Sequence, residues 1–96
     1  MTIRKINLSK QAGDFLLALP PKQCKQNFVA ILKLAKNPQP HDMKKLVGYE
    51  GLYRIDVGEY RIIYRFDEET VAIAFVGKRN DGEVYKKLQR MCESNL

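Results

Sequence analysis

From Lys10 to Lys36 the apolar positions of this chain recur every three or four residues, and from Leu52 to Val76 they alternate. From Lys10 to Leu19, the residues Ala12, Phe15, Leu16 and Leu19 fall on one helical stripe that ends at Pro20-Pro21. Ser9 stands where an N-cap is needed, after a first strand read over Ile3 to Leu8. Pro21 suits the first position of a second helix, along which Phe28, Ile31, Leu32 and Ala35 continue the stripe until Lys36, and Asn37-Pro38 stops it. The first half is therefore expected to be a strand followed by a helical hairpin with one apolar seam.

A proline-broken loop over Asn37 to Asp42 leads through Lys44-Lys45-Leu46-Val47-Gly48 into the alternating half. Leu52 to Val57 and Tyr60 to Phe66 read as strands joined by a two-residue turn, Gly58-Glu59, with glycine first. Asp67 to Thr70 turns the chain into a further strand, Val71 to Val76. The turn length sets the register, so Val57 should face Tyr60, Asp56 Arg61, Ile55 Ile62, and Arg54 Ile63. One sheet face then carries Tyr53, Ile55, Val57, Tyr60, Ile62, Tyr64 and Phe66, joined by Val71, Ile73 and Phe75, and is the face for the hairpin to cover. After Gly77, Asn80 to Glu83 reads as a capping box for a last helix carrying Val84, Leu88 and Met91. The expected architecture is a single α+β domain over residues 1–96, with an N-terminal strand and helical hairpin packed on an antiparallel sheet and a short C-terminal helix.

Composition narrows the function classes. A chain of 96 residues, 45% of them hydrophobic, can build one core but not two. No apolar run approaches the ~20 residues of a membrane-spanning helix, so no membrane partner is expected. The start, Met1-Thr2-Ile3-Arg4-Lys5, lacks the apolar segment of a secretory signal, which makes the cytoplasm the expected location. Cys24, Cys92 and the single His41 form neither a disulfide framework nor a metal-ligand spacing, and His41 reads as an ordinary loop residue. Seventeen Lys and Arg against eleven Asp and Glu leave a net charge of +6, which suits a nucleic acid or an acidic protein segment.

The alternation places Arg54, Asp56, Arg61, Ile63 and Arg65 on the sheet face away from the hairpin, with small Ala72 and Ala74 beside them and Lys78 at the strand end. Such a face is expected to be open and basic, fit for a phosphate backbone. The plainer alternative is a solvated face on which Asp56 and Arg61 form a cross-strand ion pair worth ~1 kcal/mol or less.

The ordered series Lys44-Lys45-Leu46-Val47-Gly48, Tyr53-Arg54-Ile55, Gly58-Glu59-Tyr60-Arg61-Ile62-Ile63-Tyr64, Val76-Gly77-Lys78-Arg79 and Val84-Tyr85 resembles the RelE/ParE superfamily of toxin-antitoxin toxins over nearly the whole chain. What the resemblance implies is a RelE-like toxin that enters the ribosomal A site and cuts mRNA codons by driving a ribose 2′-OH onto the adjacent phosphate, without a metal or cofactor. By position, Arg54 and Arg61 would grip the scissile phosphate, Arg79 would stabilise or protonate the leaving 5′ oxygen, and Tyr85 would stack on a base. Lys44, Lys45, Arg65 and Lys78 become secondary RNA contacts, and Lys86, Lys87 and Arg90 candidates for ribosomal RNA.

Asp56 is the departure, standing where the best-known RelE proteins have a second lysine thought to help deprotonate the 2′-OH. A carboxylate there can serve as a general base, yet opposite Arg61 it is expected to be paired and structural. Strict alternation would also put Arg79 on the covered face, so its role is expected to need a bend at Gly77. The implied partners are a RelB-like antitoxin, the ribosome with its mRNA, and operator DNA only through the antitoxin complex. Two alternatives share the fold: a ParE-like inhibitor of DNA gyrase, and an RNA-binding module without catalysis.

Overall fold

The computed structural model describes residues 3–79. The chain runs β1 (Lys5–Leu8), α1 (Lys10–Leu17), α2 (Pro21–Lys36), β2 (Lys44–Lys45), β3 (Tyr53–Val57), β4 (Tyr60–Phe66) and β5 (Thr70–Lys78). The strands make one five-stranded sheet in the order β1-β5-β4-β3-β2. β3, β4 and β5 are antiparallel neighbours, as expected, while β2, not read from the sequence, pairs antiparallel with β3 and β1 joins the far edge parallel to β5. Parallel neighbours need a long connection, and here everything between the two strands supplies it. The C-terminal helix expected from Asn80 onward lies outside the described residues.

Both helices cover one sheet face. Ser9 caps α1, its Oγ accepting from the Ala12 N–H at 3.1 Å, and the helix ends at Leu17, two residues before the expected Leu19. α2 has the expected bounds, with Ile31 and Ala35 buried and Phe28 packed against the core as expected, but Asn27 and Leu34 are buried as well and Leu32 is 58% exposed. Leu32 and Leu34 flank the same seam, and only the sheet decides which of the two faces it. The core under the helices joins Ala12, Leu16, Ile31 and Leu34 to Ile55, Ile62, Tyr64, Val71, Ile73 and Val76.

The β3–β4 hairpin has the expected register, Val57 opposite Tyr60 and Asp56 opposite Arg61. Gly58 takes φ +58° and Glu59 a negative φ, as a turn with glycine first requires. The β4–β5 pair departs from expectation. Ile63 faces Phe75 but Tyr64 faces Ile73, so Ala74 is an extra residue in β5, a β-bulge. One extra residue reverses the alternation beyond it. Phe75, expected under the helices, therefore points to the opposite face, Val76 takes the helix side opposite Ile62, and Lys78, expected on the basic face, lies opposite Tyr60 on the helix side.

Polar side chains from α1 hold this bulge. β1 pairs with β5 only as far as Ile73, which would leave the next stretch of that edge without hydrogen bonds. The Ser9 hydroxyl donates to the Ala74 carbonyl at 2.8 Å. Beyond it, the Gln11 amide donates from Nε2 to the Val76 carbonyl at 2.8 Å and accepts from the Val76 N–H at 3.0 Å, replacing a strand partner with one side chain. On the opposite flank, the buried Tyr64 hydroxyl donates to the Pro38 carbonyl at 2.7 Å and so fastens the proline loop to the sheet. Burial first, then the negative Asp42 and Tyr53, push the Tyr64 phenol up to about 12.

Two outcomes follow for stability. Gln11→Ala leaves the buried Val76 backbone unpaired and should cost about 1–3 kcal/mol in urea unfolding. Tyr64 has a pKa raised from 10.0 to about 12 in the fold, so its contribution is fully present below pH 10 and is lost as the pH rises through that interval. The stability difference between the wild type and Tyr64→Phe should shrink over the same interval, measured by unfolding at a series of alkaline pH values.

Candidate nucleic-acid interface

The face away from the helices is built on two rungs. Asp56, Arg61 and Gly77 lie across β3, β4 and β5 in one, and Arg54, Ile63 and Phe75 in the next. The bulge at Ala74 places Gly77 opposite Arg61, and the Arg79 N–H continues this ladder by donating to the Glu59 carbonyl at 2.8 Å. β5 ends at Lys78 and Arg79 follows it in a turn, while the parity of the strand changes three residues before Gly77, at the bulge.

Asp56 lies between the two strand arginines. Its Oδ1 accepts from Arg61 Nε at 2.9 Å and stands 3.8 Å from Arg54 Nη1. Sequence spacing anticipated the Arg61 contact; the Arg54 contact arises because residues two apart on a strand share a face. The side chains of Arg61 and Arg54 are 14% and 24% exposed and that of Asp56 is 37%, so the carboxylate lies at the outer side of the cluster. The two guanidinium groups thus share one carboxylate oxygen. Arginines held this way present planar, permanently charged forks suited to a phosphodiester.

The face is less open than the alternation suggested. Leu46, Ile63 and Phe75 form a second buried cluster, with Tyr49 and Leu52 packed against it. The 46–52 loop folds over this side of the sheet, closed by a hydrogen bond from the Leu46 N–H to the Leu52 carbonyl at 2.9 Å and turned by Gly48 and Gly51 at φ +84° and +81°. Ile63, expected among the open charged positions, is fully buried beneath it. The buried cluster thus divides the basic face, with Arg54 and Arg61 on the side of the β3–β4 turn and Arg65 beyond it.

The secondary candidates are dispersed. Lys44 pairs with Arg54 and shares its face, whereas Lys45 pairs with Tyr53 and belongs to the other. Arg65 is exposed on the Arg61 side, opposite Ala72, beyond the Ile63 cluster and separated by it from the arginine pair. Tyr85, Lys86, Lys87 and Arg90 lie outside the described residues, as does Cys92. His41 is exposed in a loop, and among the described residues no group of His, Cys, Asp and Glu is arranged to hold a metal ion.

One feature was not anticipated from sequence. A groove of about 790 Å³ runs between α2 and the outer edge of β3, lined by Lys22, Lys25 and Lys33 along the helix and by Ile55, Asp56 and Val57 along the strand. The signal was present as lysines at helical spacing around exposed Val29, but the same pattern describes any solvated helix face.

Residues 6–82 match the family model described as ParE toxin of type II toxin-antitoxin system, parDE. Putative toxin RelE1 of Methanocaldococcus jannaschii is 29% identical over 79 residues, 77% of this chain and 88% of that protein. Among solved structures, the toxin-antitoxin complex RelBE2 of Mycobacterium tuberculosis contains a chain 29% identical, with a TM-score of 0.70 over 84% of this chain and 97% of that one. A mutant of the E. coli toxin RelE in the free state shares the fold, with a TM-score of 0.74 at 24% identity over 94% of this chain and 98% of its own.

The two kinds of contact on this face predict different costs. Asp56→Asn removes a partly exposed ion pair and should change stability by about 1 kcal/mol or less, whereas Phe75→Ala empties the second cluster and should cost about 3–5 kcal/mol. Chemical denaturation of both variants measures the contrast.

Proposed function

Because this chain belongs to the family of ParE toxins of type II toxin-antitoxin systems, we propose that it acts as a ribosome-dependent mRNA endoribonuclease whose site is the arginine cluster on the exposed sheet face. The observation that carries this reading is the gathering of Arg54, Arg61 and the Arg79 backbone around one end of that face, with a hairpin and a bulge holding them in register. In the reaction, the ribose 2′ oxygen forms a bond to the adjacent phosphorus and the bond from phosphorus to the 5′ oxygen breaks, leaving a cyclic phosphate and a free 5′ hydroxyl. Arg54 and Arg61 hold the phosphate and offset the charge that builds on its oxygens, Arg79 serves the departing 5′ oxygen, and Tyr85 stacks on a base. Asp56 accepts from Arg61, and positioning and charge stabilisation carry the rate while the 2′ proton leaves to solvent and the departing 5′ oxygen takes one up.

The partner on this reading is a RelB-like antitoxin, as in the complex from Mycobacterium tuberculosis. The lysine-lined groove along α2 is a described surface whose charge fits an acidic antitoxin segment. Operator DNA is then reached through the antitoxin, and the site of action is the cytoplasm, where mRNA is translated. No described helix is long and apolar enough to cross a membrane.

A second reading, inhibition of DNA gyrase, draws support from the family model itself and from Asp56, whose oxygen the two arginines share. Primer extension on a translated mRNA after brief expression separates the two. In-frame cuts that disappear in Arg61→Ala, Arg79→Ala and Tyr85→Ala are expected for the nuclease, with each arginine variant keeping its fold and losing most toxicity. Intact mRNA with arrested DNA replication supports gyrase inhibition instead.

A further inference from the structure

Asp56 shares an oxygen between two arginines at the place where the proposed function puts a phosphate. Its Oδ1 takes the Nε–H of Arg61 at 2.9 Å, and Nε belongs to the side of the guanidinium that a phosphate uses for two-pronged contact. The same oxygen draws Arg54 Nη1 to 3.8 Å, so both guanidinium groups are oriented toward one anionic point. A phosphodiester seeking both arginines must either share them with this carboxylate or remove it.

The fold leaves the carboxylate a way out. It is more exposed than either arginine, and it sits on β3 past the two residues that β2 covers, so no described strand flanks it on the outer side. Asp56 also borders the groove lined by Lys22, Lys25 and Lys33, where positive charge can receive it.

We infer that Asp56 is an internal competitor for the phosphate site, occupying Arg54 and Arg61 in the free protein and leaving them when an RNA phosphate binds. The inference rests on the RNA-binding reading of this face. Its consequence is regulatory: the arginines are held in order before RNA arrives, while loose RNA is bound weakly because each phosphate must replace a carboxylate.

The test uses the full chain and a fluorescent single-stranded RNA carrying 2′-O-methyl riboses, which cannot be cut by 2′ attack. Asp56→Asn keeps the side-chain shape and removes the charge, and should bind the RNA about fivefold more tightly than wild type at low salt. Asp56→Glu, which keeps the charge, should not gain, and the advantage of the Asn variant should narrow as salt rises from about 0.05 M to 0.3 M. A thermal unfolding curve checks that the variants remain folded. Equal or weaker binding by Asp56→Asn, with wild-type binding still dependent on Arg54 and Arg61, overturns the inference and leaves the RNA face standing. Binding that is unchanged in Arg54→Ala and Arg61→Ala, or absent from every protein, overturns the RNA face and the inference with it.

Discussion

The bulge at Ala74 is the constraint on which both faces of this sheet depend. By inserting one residue into β5 opposite the Ile63–Tyr64 step, it lets the strand serve the helix-side core with Val71, Ile73 and Val76 and the opposite side with Phe75. Without it, Phe75 would lie under the helices and the 46–52 loop would lose its anchor. A bulge leaves backbone groups unpaired, and here they lie at an edge that β1 abandons after Ile73. Ser9 and Gln11 supply the missing partners, so two side chains at the start of α1 support a surface on the far side of the sheet.

The candidate site is consequently a product of two local devices rather than of one motif. A two-residue turn brings Asp56 opposite Arg61, and strand geometry adds Arg54 to the same face. The bulge then brings Gly77 of β5 opposite Arg61, and the Arg79 N–H continues the ladder to the Glu59 carbonyl. The second cluster of Leu46, Ile63 and Phe75 divides the charged face and separates Arg65 from the arginine pair at the turn end. A basic surface that alternation would spread along the whole sheet is in this way parted, with a carboxylate at the outer side of the arginine pair.

Much of the fold was legible in the residue order because its determinants are local. Helical periodicity between Lys10 and Lys36, the prolines that bound α2, and glycine at the head of a two-residue turn act within a few residues of themselves, and the β3–β4 register follows from turn length. With them came the placement of Arg54, Asp56 and Arg61 on one face and the pairing of Asp56 with Arg61. The choice of Leu34 over Leu32, by contrast, depends on the angle at which α2 meets the sheet, which the helix alone does not contain.

What only the tertiary structure decided lies where distant segments compete for the same backbone. Residues 71–75 alternate as a regular strand would, and only the adjacent Phe75 and Val76 break the pattern; the bulge is held by Ser9 and Gln11, 65 residues earlier in the chain. The position of Phe75 beside Ile63 and the placement of Lys78 on the helix side both follow from those long-range contacts. The sequence by itself determined the elements, the hairpin register and the positive charge, because those are set by neighbours in the chain. Which face each residue of the last strand serves was decided by folding, because alternation is broken there by a hydrogen-bond partner that only the assembled helix can bring.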